Sequence, residues 1–268
     1  MQLYVIRLNK RSIVDCTKLG ICSLPNTLGK IMTSTRSSNI LLQDIPSHLL
    51  NYFEDNDFKT TTLEKVELTT GFFNFSGLIY ITKGRFSISM PQQNLDTLYS
   101  FIVEANGWFG ALTLMPLPHP FLLINEIETV ELLYISKDQL EKIADAHPLI
   151  YKWLLKIAAD NIPQWLQVPL IALSNKKIRV IYCLATLLPL NKRDLNLIEI
   201  DASQQKVSDI CGLSRPRVNE VLKELEQQKL IQVQHKKIII QNTTALFKLL
   251  DEANLCFYDP REQSEQRV

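Results

Sequence analysis

Residues 204–225 read Q-Q-K-V-S-D-I-C-G-L-S-R-P-R-V-N-E-V-L-K-E-L and decide the fold of the C-terminal part of the chain. Apolar side chains recur where two short helices that cross near a right angle must meet, and Ser208 is small where the two backbones come closest. These apolar residues are Val207, Cys211, Leu213, Val218 and Val221. The spacing predicts a helix-turn-helix, in which the first helix supports a second that enters the DNA major groove.

The turn between the two helices carries its own signals. Gly212 falls where the first helix must end, and a residue without Cβ readily adopts the left-handed conformation that ends helices. Ser214 is expected to cap the second helix through its hydroxyl. Pro216 is tolerated in a first helical turn, where its missing N–H would have had no partner. A buried helical hairpin of some other α domain would explain the apolar spacing but not the β-rich segments that come next in the chain.

Two β-rich runs flank a polar turn directly after the second helix. The runs are Ile231–Gln234 and residues 237–241, and the turn is His235-Lys236. A short hairpin in this place is a wing. The sequence therefore predicts a winged helix-turn-helix domain over residues 174–250.

Length and composition are those of an ordinary folded protein. The chain has 268 residues, of which 46% are hydrophobic, and this is enough for two domains. The longest apolar run, residues 180–190, is too short to span a bilayer, and no apolar stretch near Met1 precedes a cleavage site of small residues. We therefore expect a cytoplasmic protein that has no membrane partner.

Cysteine usage argues against a disulfide framework and against a metal site. The five cysteines are odd in number and scattered, and none has the spacing of zinc ligands. Cys183 and Cys211 occupy apolar helical positions, where a thiol acts as a small hydrophobic group. Cys16 and Cys22 are either an iron–sulfur or redox pair or two unrelated thiols, and the second interpretation is favoured.

Charge is distributed unevenly along the chain, although the net charge is only +1. Residues 174–250 contain 13 Lys and Arg against 7 Asp and Glu, whereas residues 1–173 contain 14 against 16. The positive charge thus coincides with the predicted helix-turn-helix. Phosphate binding requires local positive charge and not a basic chain as a whole, so this distribution is typical of DNA binding.

Residues 42–147 contain short segments in which apolar and polar residues alternate. Four of these segments are 78–81, 86–90, 98–102 and 130–135, and glycines and a proline separate them. Short strands at this spacing predict a β-roll, or jelly roll. A helix is expected over Lys137–Ala146, and residues 148–173 predict a connecting helix that Pro163 and Pro169 kink or break. Residues 1–41 form an N-terminal extension without an assigned role, and residues 251–268 form an acidic tail.

The order of β-roll, connecting helix and winged helix-turn-helix is similar to the Crp/Fnr (catabolite activator and fumarate–nitrate regulator) family of bacterial transcription factors. Residues 78–85 resemble that family's L-Y-x-I-x-x-G-x hairpin, and residues 106–114 resemble its G-D-W-F-G-E-L-x-L motif. Residues 203–231 are similar to S-R-E-T-V-x-R-x-L-x-x-L-E-x-x-x-L-I. The resemblance covers residues 42–245. It implies an α+β fold with a cyclic-nucleotide-binding-like β-roll, a dimerisation helix and a winged helix-turn-helix.

The resemblance also implies partners. Members of the family are homodimers joined along the connecting helix, and they bind two-fold symmetric sites in double-stranded DNA; RNA polymerase is a further candidate partner. In this chain a stripe of large apolar side chains over residues 149–158, and the apolar segment from Ile171, are expected to form the dimer. The stripe comprises Leu149, Trp153, Leu154, Ile157 and Ala158. Packing of the stripe on the β-roll is the alternative.

The family's effector site is altered here. Members that bind cyclic nucleotides hold the phosphate with an Arg and a neighbouring Ser or Thr, and the ribose with a Glu. Phe121 and Leu122 stand at the first two positions, and Ala111 stands at the third. A buried phosphate without a cation costs several kcal/mol, so cyclic AMP should not bind in the family's manner. The candidate degenerate pocket consists of Trp108, Phe109, Gly110, Ala111, Phe121 and Leu122.

The loop over residues 115–123 is rich in proline and apolar, which leaves two interpretations of this pocket open. Either a hydrophobic effector binds there, or the protein's own side chains fill it. No cofactor is expected, because the cysteine set of the family's iron–sulfur members is absent and single histidines beside prolines are usually solvated.

The resemblance places the base-reading positions at Arg215, Pro216, Asn219 and Glu220. Arg215 can bind guanine and Asn219 adenine, each through two hydrogen bonds. Glu220 can accept from cytosine N4 or pair with Arg217 or Lys223, and the sequence leaves this open. The wing lysines are expected to contact phosphate. The full candidate set is Gln204, Ser214, Arg215, Arg217, Asn219, Glu220, Lys223, His235, Lys236 and Lys237.

These features predict a sequence-specific DNA-binding transcription regulator that acts as a homodimer without catalytic activity. The alternative is a small-molecule sensor or protein-interaction module with a vestigial DNA-binding domain. An enzyme of the metal-dependent cupin class is not supported, because residues 60–135 contain a single histidine, His119, beside prolines.

Overall fold

Strands of the N-terminal part form an antiparallel sheet, and helices then lead to a smaller C-terminal sheet. The computed structural model describes residues 59–72, 75–90, 100–115, 121–188 and 197–262, all of which fall in one compact unit of residues 37–268. The predictions for residues 1–41, for Cys16 and Cys22, and for most of the proline-rich loop lie outside the described residues.

Six strands build the N-terminal sheet of the described chain. They are β1 (Lys59–Thr61), β2 (Gly71–Phe72), β3 (Gly77–Ser89), β4 (Phe101–Glu104), β5 (Trp108–Phe109) and β6 (Phe121–Ser136). The main path runs β1-β6-β3-β4, with β2 paired to β6 and β5 paired to β3, and every pairing is antiparallel. The predicted β-roll is therefore present.

Strand β3 differs from the sequence prediction. Segments 78–81 and 86–90 were expected as two separate strands, but both belong to one irregular strand that pairs with β6 from Gly77 to Ser89. The register of the pairing shifts between Ile81 and Phe86, and Gly84, with φ 79°, lies within this irregular segment. A Cβ at Gly84 would lie 2.1 Å from the Thr129 carbonyl oxygen. Glycine here thus permits a close approach of two strands within a bulge, and does not make a turn.

Helix α1 (Lys137–Ala146) begins where β6 ends, as the sequence predicts. Ser136 and Gln139 form a reciprocal capping box, which satisfies the first backbone amides of the helix. Leu140 and Ala144 face inward and join the core of the β-roll.

Helix α2 (Ile150–Ala172) continues through Pro163 and Pro169, so of the two predicted outcomes, a kink or a break, the break does not occur. A proline inside a helix removes one backbone hydrogen bond and costs about 3 kcal/mol. Residues buried on both sides of the prolines, Ile157 before them and Ile171 after them, anchor the helix to two different parts of the core. Tertiary packing therefore outweighs the local penalty.

The apolar stripe of α2 that was expected to form the dimer packs on the β-roll instead. Trp153, Leu154, Ile157 and Ala158 are buried in one cluster with β-roll residues such as Tyr80 and Trp108. Leu149 precedes the helix and is exposed. The periodicity identified a buried face correctly, but the sequence did not show which partner covers it.

The C-terminal part has the expected winged arrangement. Its helices are α3 (Lys176–Leu187), α4 (Gln204–Cys211), α5 (Arg215–Gln227) and α6 (Thr243–Lys248), and its strands are β7 (Ile198–Ile200), β8 (Ile231–Gln234) and β9 (Lys237–Ile240). The three strands pair in the order β7-β9-β8. Nearly every residue of α3 from Ile178 onward is buried, and this helix forms the centre of the core.

Two sets of contacts hold the winged domain against the rest of the chain. On the β-roll side, the Ser100 amide donates to the Ile210 carbonyl at 2.8 Å, and the Lys206 ammonium donates to the Ile127 carbonyl at 2.5 Å. On the other side, the buried Gln167 amide of α2 donates to the Asn254 carbonyl at 2.6 Å and accepts from the amide of Phe257 at 3.1 Å. The described part of the predicted acidic tail thus packs back on α2.

Candidate nucleic-acid interface

Helix α4 is positioned by its two ends. The Ser203 hydroxyl accepts from the Lys206 amide at 3.1 Å and caps the start of the helix. Gly212 ends the helix in the left-handed conformation, with φ 59°, as the sequence predicts. The Ser208 hydroxyl then donates to the Leu213 carbonyl at 2.5 Å. A small side chain at Ser208 therefore both admits the neighbouring helix and closes the turn.

Helix α5 begins differently from the prediction. Ser214 occupies the cap position, but its hydroxyl accepts no hydrogen bond from the helix, so the expected side-chain cap is wrong. Pro216, the second helical residue, has no N–H, and it therefore removes one of the two amides that a cap hydroxyl normally binds. Ser214 is exposed to solvent at the N-terminus of α5.

Helix α5 has one buried and one solvent-facing side. Val218, Val221, Leu222 and Leu225 are all at most 1% exposed and fix the helix to α3 and α4. The candidate base readers and phosphate ligands lie on the opposite side; Arg215, Arg217, Glu220 and Lys223 are exposed and Asn219 is half-buried. Rigid packing of one side thus presents the polar side in a fixed orientation.

Gln204 and Asn219 are brought together from the two helices. The Gln204 side-chain amide donates to the Asn219 side-chain carbonyl at 3.3 Å. This hydrogen bond orients the side-chain carbonyl of Asn219 toward the start of α4.

Glu220 has a partner that sequence reasoning missed. Its carboxylate lies 2.6 Å from the ammonium of Lys176, at the start of α3, and not against Arg217 or Lys223. One turn later, Lys177 pairs with Glu224 at 2.7 Å, and the hydrogen bond that Lys177 donates holds the pKa of the Glu224 carboxyl below its usual range. These partners are 44 and 47 residues apart in sequence, so no local spacing rule could have found them.

Arg179 is a second residue that the sequence did not single out. Its guanidinium donates to the carbonyls of Cys211 and Gly212, both at 3.0 Å, and so binds the turn between α4 and α5. The Cys211 thiol packs beside Cys183 in this core, and burial raises the pKa of the Cys211 thiol well above its usual value. Both cysteines therefore serve in packing, as expected.

The wing presents three basic residues in succession. His235, Lys236 and Lys237 are exposed, and Lys236 lies at the tip of the turn with φ 60°. The Lys237 ammonium is 2.7 Å from the Glu199 carboxylate on β7, and this hydrogen bond raises the pKa of Lys237. Lys236 and Lys237, which were predicted to act alike, therefore differ in their surroundings.

The β-roll corner around Trp108 is filled by aromatic side chains. The rings of Tyr80 and Trp108 are 4.9 Å apart, and Trp153 of α2 meets Trp108 edge-on at 5.1 Å. Phe109, Ala111 and Leu122 are buried, whereas Phe121 is 43% exposed at the start of β6. Gly110 has φ 106° and packs against Phe75, where a Cβ would lie 2.7 Å from the ring.

Comparison with known proteins agrees with this architecture. Residues 179–249 match the Crp-like helix-turn-helix domain. A protein assigned to the Crp/Fnr family of transcriptional regulators, from Eubacterium rectale, is 13% identical, with a TM-score of 0.58 over 80% of this chain and 99% of that chain. The c-di-GMP-responsive global regulator CLP of Xanthomonas campestris is 16% identical, with a TM-score of 0.55 over 73% of this chain and 99% of that chain.

FixK2 from Bradyrhizobium japonicum is 15% identical, with a TM-score of 0.53 over 72% of this chain and 96% of that chain. At these identities the solved structures show a shared fold. Among curated proteins, no sequence matches the chain significantly. Within the described residues, no helix combines the length and hydropathy needed to cross a bilayer.

The winged helix-turn-helix, whose second helix carries exposed polar residues, has the architecture of a DNA-binding domain and is joined by a helix to a β-roll. The match over residues 179–249 shows a Crp-like helix-turn-helix domain, and the chain shares its fold with a transcriptional regulator assigned to the Crp/Fnr family.

Proposed function

We propose that this protein is a sequence-specific regulator of transcription that binds double-stranded DNA as a homodimer through α5 and the wing. The carrying observation is the division of α5 into a buried apolar side and a solvent-facing side that holds Arg215, Asn219 and Glu220. Regulators of this family bind DNA and are generally not enzymes, and we propose no catalytic activity.

Roles are assigned from the position of each side chain. Residues in the first turns of a recognition helix reach the base edges of the major groove, so Arg215 is proposed to bind guanine and Asn219 adenine. Ser214, Gln204 and Arg217 flank these readers and are proposed to fix the helix in the groove. Cationic groups farther away are proposed to bind phosphate, namely Lys223 on α5 and His235, Lys236 and Lys237 on the wing.

The homodimer is proposed to form through the solvent side of α2, opposite to the stripe that the sequence suggested. Leu155, Ile162, Leu166 and Leu173 are between 44% and 86% exposed and recur with the spacing of a two-stranded coiled coil. So many large apolar groups on one line are unusual for a helix side that stays in water. Two copies of α2 would bury them against each other, while the opposite side stays packed on the β-roll.

The β-roll is proposed to bind no cyclic nucleotide. Aromatic packing around Trp108 supports the interpretation that the protein's own side chains fill this corner, in preference to a hydrophobic effector. RNA polymerase stays a candidate protein partner, without an assigned surface.

Selection from a pool of random-sequence duplexes tests the proposal. The wild-type protein should enrich a two-fold symmetric sequence, and sedimentation should show a dimer at micromolar concentration. Leu155→Glu combined with Leu166→Glu should sediment as a monomer with a native circular dichroism spectrum and should lose cooperative binding to the two half-sites. Lys142→Glu on the exposed side of α1 makes a matched change of charge and should leave both properties intact.

Enrichment of no sequence would overturn the proposed function in favour of a vestigial DNA-binding domain. A dimer that survives the double substitution would place the interface elsewhere.

A further inference from the structure

The pair formed by Lys176 and Glu220 joins the start of α3 to the solvent side of α5. The ammonium and carboxylate are 2.6 Å apart, and the side chains are 44% and 65% exposed. Glu220 follows Asn219 directly and lies one turn after Pro216, so it belongs to the region of α5 that is proposed to face the bases.

An unpaired carboxylate at this position would weaken DNA binding through electrostatic repulsion. Each strand of the duplex carries a row of phosphate charges, and a negative side chain in the groove is repelled by both rows. The Lys176 ammonium neutralises this charge at the Oε1 atom. The contact also restricts the orientations that the Glu220 side chain can adopt at the protein surface.

Pairing at Oε1 leaves the second carboxylate oxygen to accept a hydrogen bond. In the major groove, the cytosine N4 amino group is the donor that a Glu side chain recognises. A charged acceptor whose side chain is already ordered loses less conformational entropy when it binds a base. Because the lysine comes from a separate helix, its contribution depends on the packing of α3 against α5.

We propose that Lys176 is a positioning residue for base recognition, which fixes and neutralises Glu220 so that this carboxylate selects a cytosine amino group. The inference rests on the proposed function and specifies one base reader of the same interface. It differs from a structural ion pair in a measurable way, because it affects the choice of base at a single position of the half-site.

The chain offers a matched control in the neighbouring pair of Lys177 and Glu224. This pair has the same composition and a similar separation of 2.7 Å, also joins α3 to α5, and lies one turn farther from the start of α5. Exposed ion pairs of this kind contribute little to stability, so breaking either pair should leave the melting temperature nearly unchanged.

The experiment measures, by fluorescence anisotropy, the Kd of the full-length protein for the selected duplex and for its variants at every position of the half-site. Glu220→Gln identifies the base pair whose preference depends on Glu220, and we expect a C·G pair there. Lys176→Met should reduce discrimination at this position by roughly five- to tenfold and leave the other positions unchanged. Lys176→Arg should retain the discrimination, since it keeps the charge.

Adding Lys176→Met to Glu220→Gln should have no further effect on base choice, because the lysine acts through the carboxylate. Lys177→Met should preserve discrimination at every position. A Lys176→Met protein that loses affinity equally for all sequences would overturn the inference and identify Lys176 as a phosphate ligand. Unchanged base preference in Glu220→Gln would also overturn it.

These outcomes are separate from failure of the proposed function. If the wild-type protein distinguishes no sequence at all, the proposed function fails and the inference falls with it. If the wild-type protein is selective but Lys176→Met keeps full discrimination, this inference alone is wrong.

Discussion

Around Trp108 the β-roll packs aromatic rings against α2, whereas on α5 the side chains of Arg215 and Glu220 extend from a packed helix into solvent. Both regions resemble motifs of the Crp/Fnr family in sequence, yet they are built in opposite ways. In the first, the sequence resemblance aligns the apolar residues Phe121, Leu122 and Ala111 with the polar groups of cyclic-nucleotide-binding members. In the second, polar groups cover one side of a helix whose other side is fully buried.

The difference concerns which groups are available to a partner. Apolar groups that pack on each other stabilise the fold and present no charge or hydrogen bond to a ligand. Polar groups on a rigid helix have a fixed position and keep their capacity to bind. Substitutions in the two regions should therefore affect different properties, namely the free energy of unfolding in the β-roll corner and the affinity for DNA on α5.

The largest effect is expected from Trp153→Ala. Trp153 is 3% exposed and packs edge-on against Trp108, so its removal should lower the free energy of unfolding by about 3–5 kcal/mol. Chemical denaturation followed by circular dichroism measures this loss. Leu149→Ala, which removes an apolar side chain that is 60% exposed, is the control and should change the free energy by less than about 0.5 kcal/mol. Equal effects of the two substitutions would show that the corner is not tightly packed.

Features that depend on local geometry were predicted from the sequence, whereas contacts between distant residues, such as those of Trp153, were not. The helix-turn-helix and wing were predicted closely, because Gly212 and the residues around it are constrained by local geometry. The apolar periodicity of α2 identified a buried side, but it did not identify the β-roll as the partner. The hydrogen bond that Pro163 removes from α2 is outweighed by packing with residues distant in sequence. The partner of Glu220, Lys176, lies on another helix.

A smaller but more specific effect is expected from Arg215→Ala. The side chain is exposed at the start of α5, so the fold should be unaffected, whereas one base contact worth about 1–3 kcal/mol of discrimination is lost. Anisotropy titrations with the selected duplex and with random DNA measure the change in selectivity. Lys142→Ala removes one positive charge from α1 and should change neither titration. Unaltered selectivity in Arg215→Ala would move the base contact to another residue.

A still smaller effect is expected in the wing, and it should differ between two adjacent lysines. Lys236→Gln should weaken binding to all sequences and reduce the salt slope of log K by about 1, as for one phosphate contact. Lys237→Gln should reduce the slope less, because Lys237 already pairs with Glu199 at 2.7 Å. Titrations over a range of salt concentrations compare the two variants. Equal slopes in both variants and in the wild type would place the phosphate contacts outside the wing.

No effect at all is expected from cyclic AMP or cyclic GMP. Each carries a phosphate anion, and a site that buries it must replace the hydration of the phosphate with a cation and several donors. Phe121 and Leu122 supply neither, Ala111 has no acceptor for the ribose, and the sequence between Asp96 and Glu131 contains no Lys or Arg. Calorimetry at millimolar nucleotide should show no saturable heat, and the affinity for DNA should be the same with and without the nucleotide. Saturable binding with a micromolar Kd, about −8 kcal/mol, would require a cation from another part of the chain. It would also show that the β-roll, like α5, has groups available to bind a ligand.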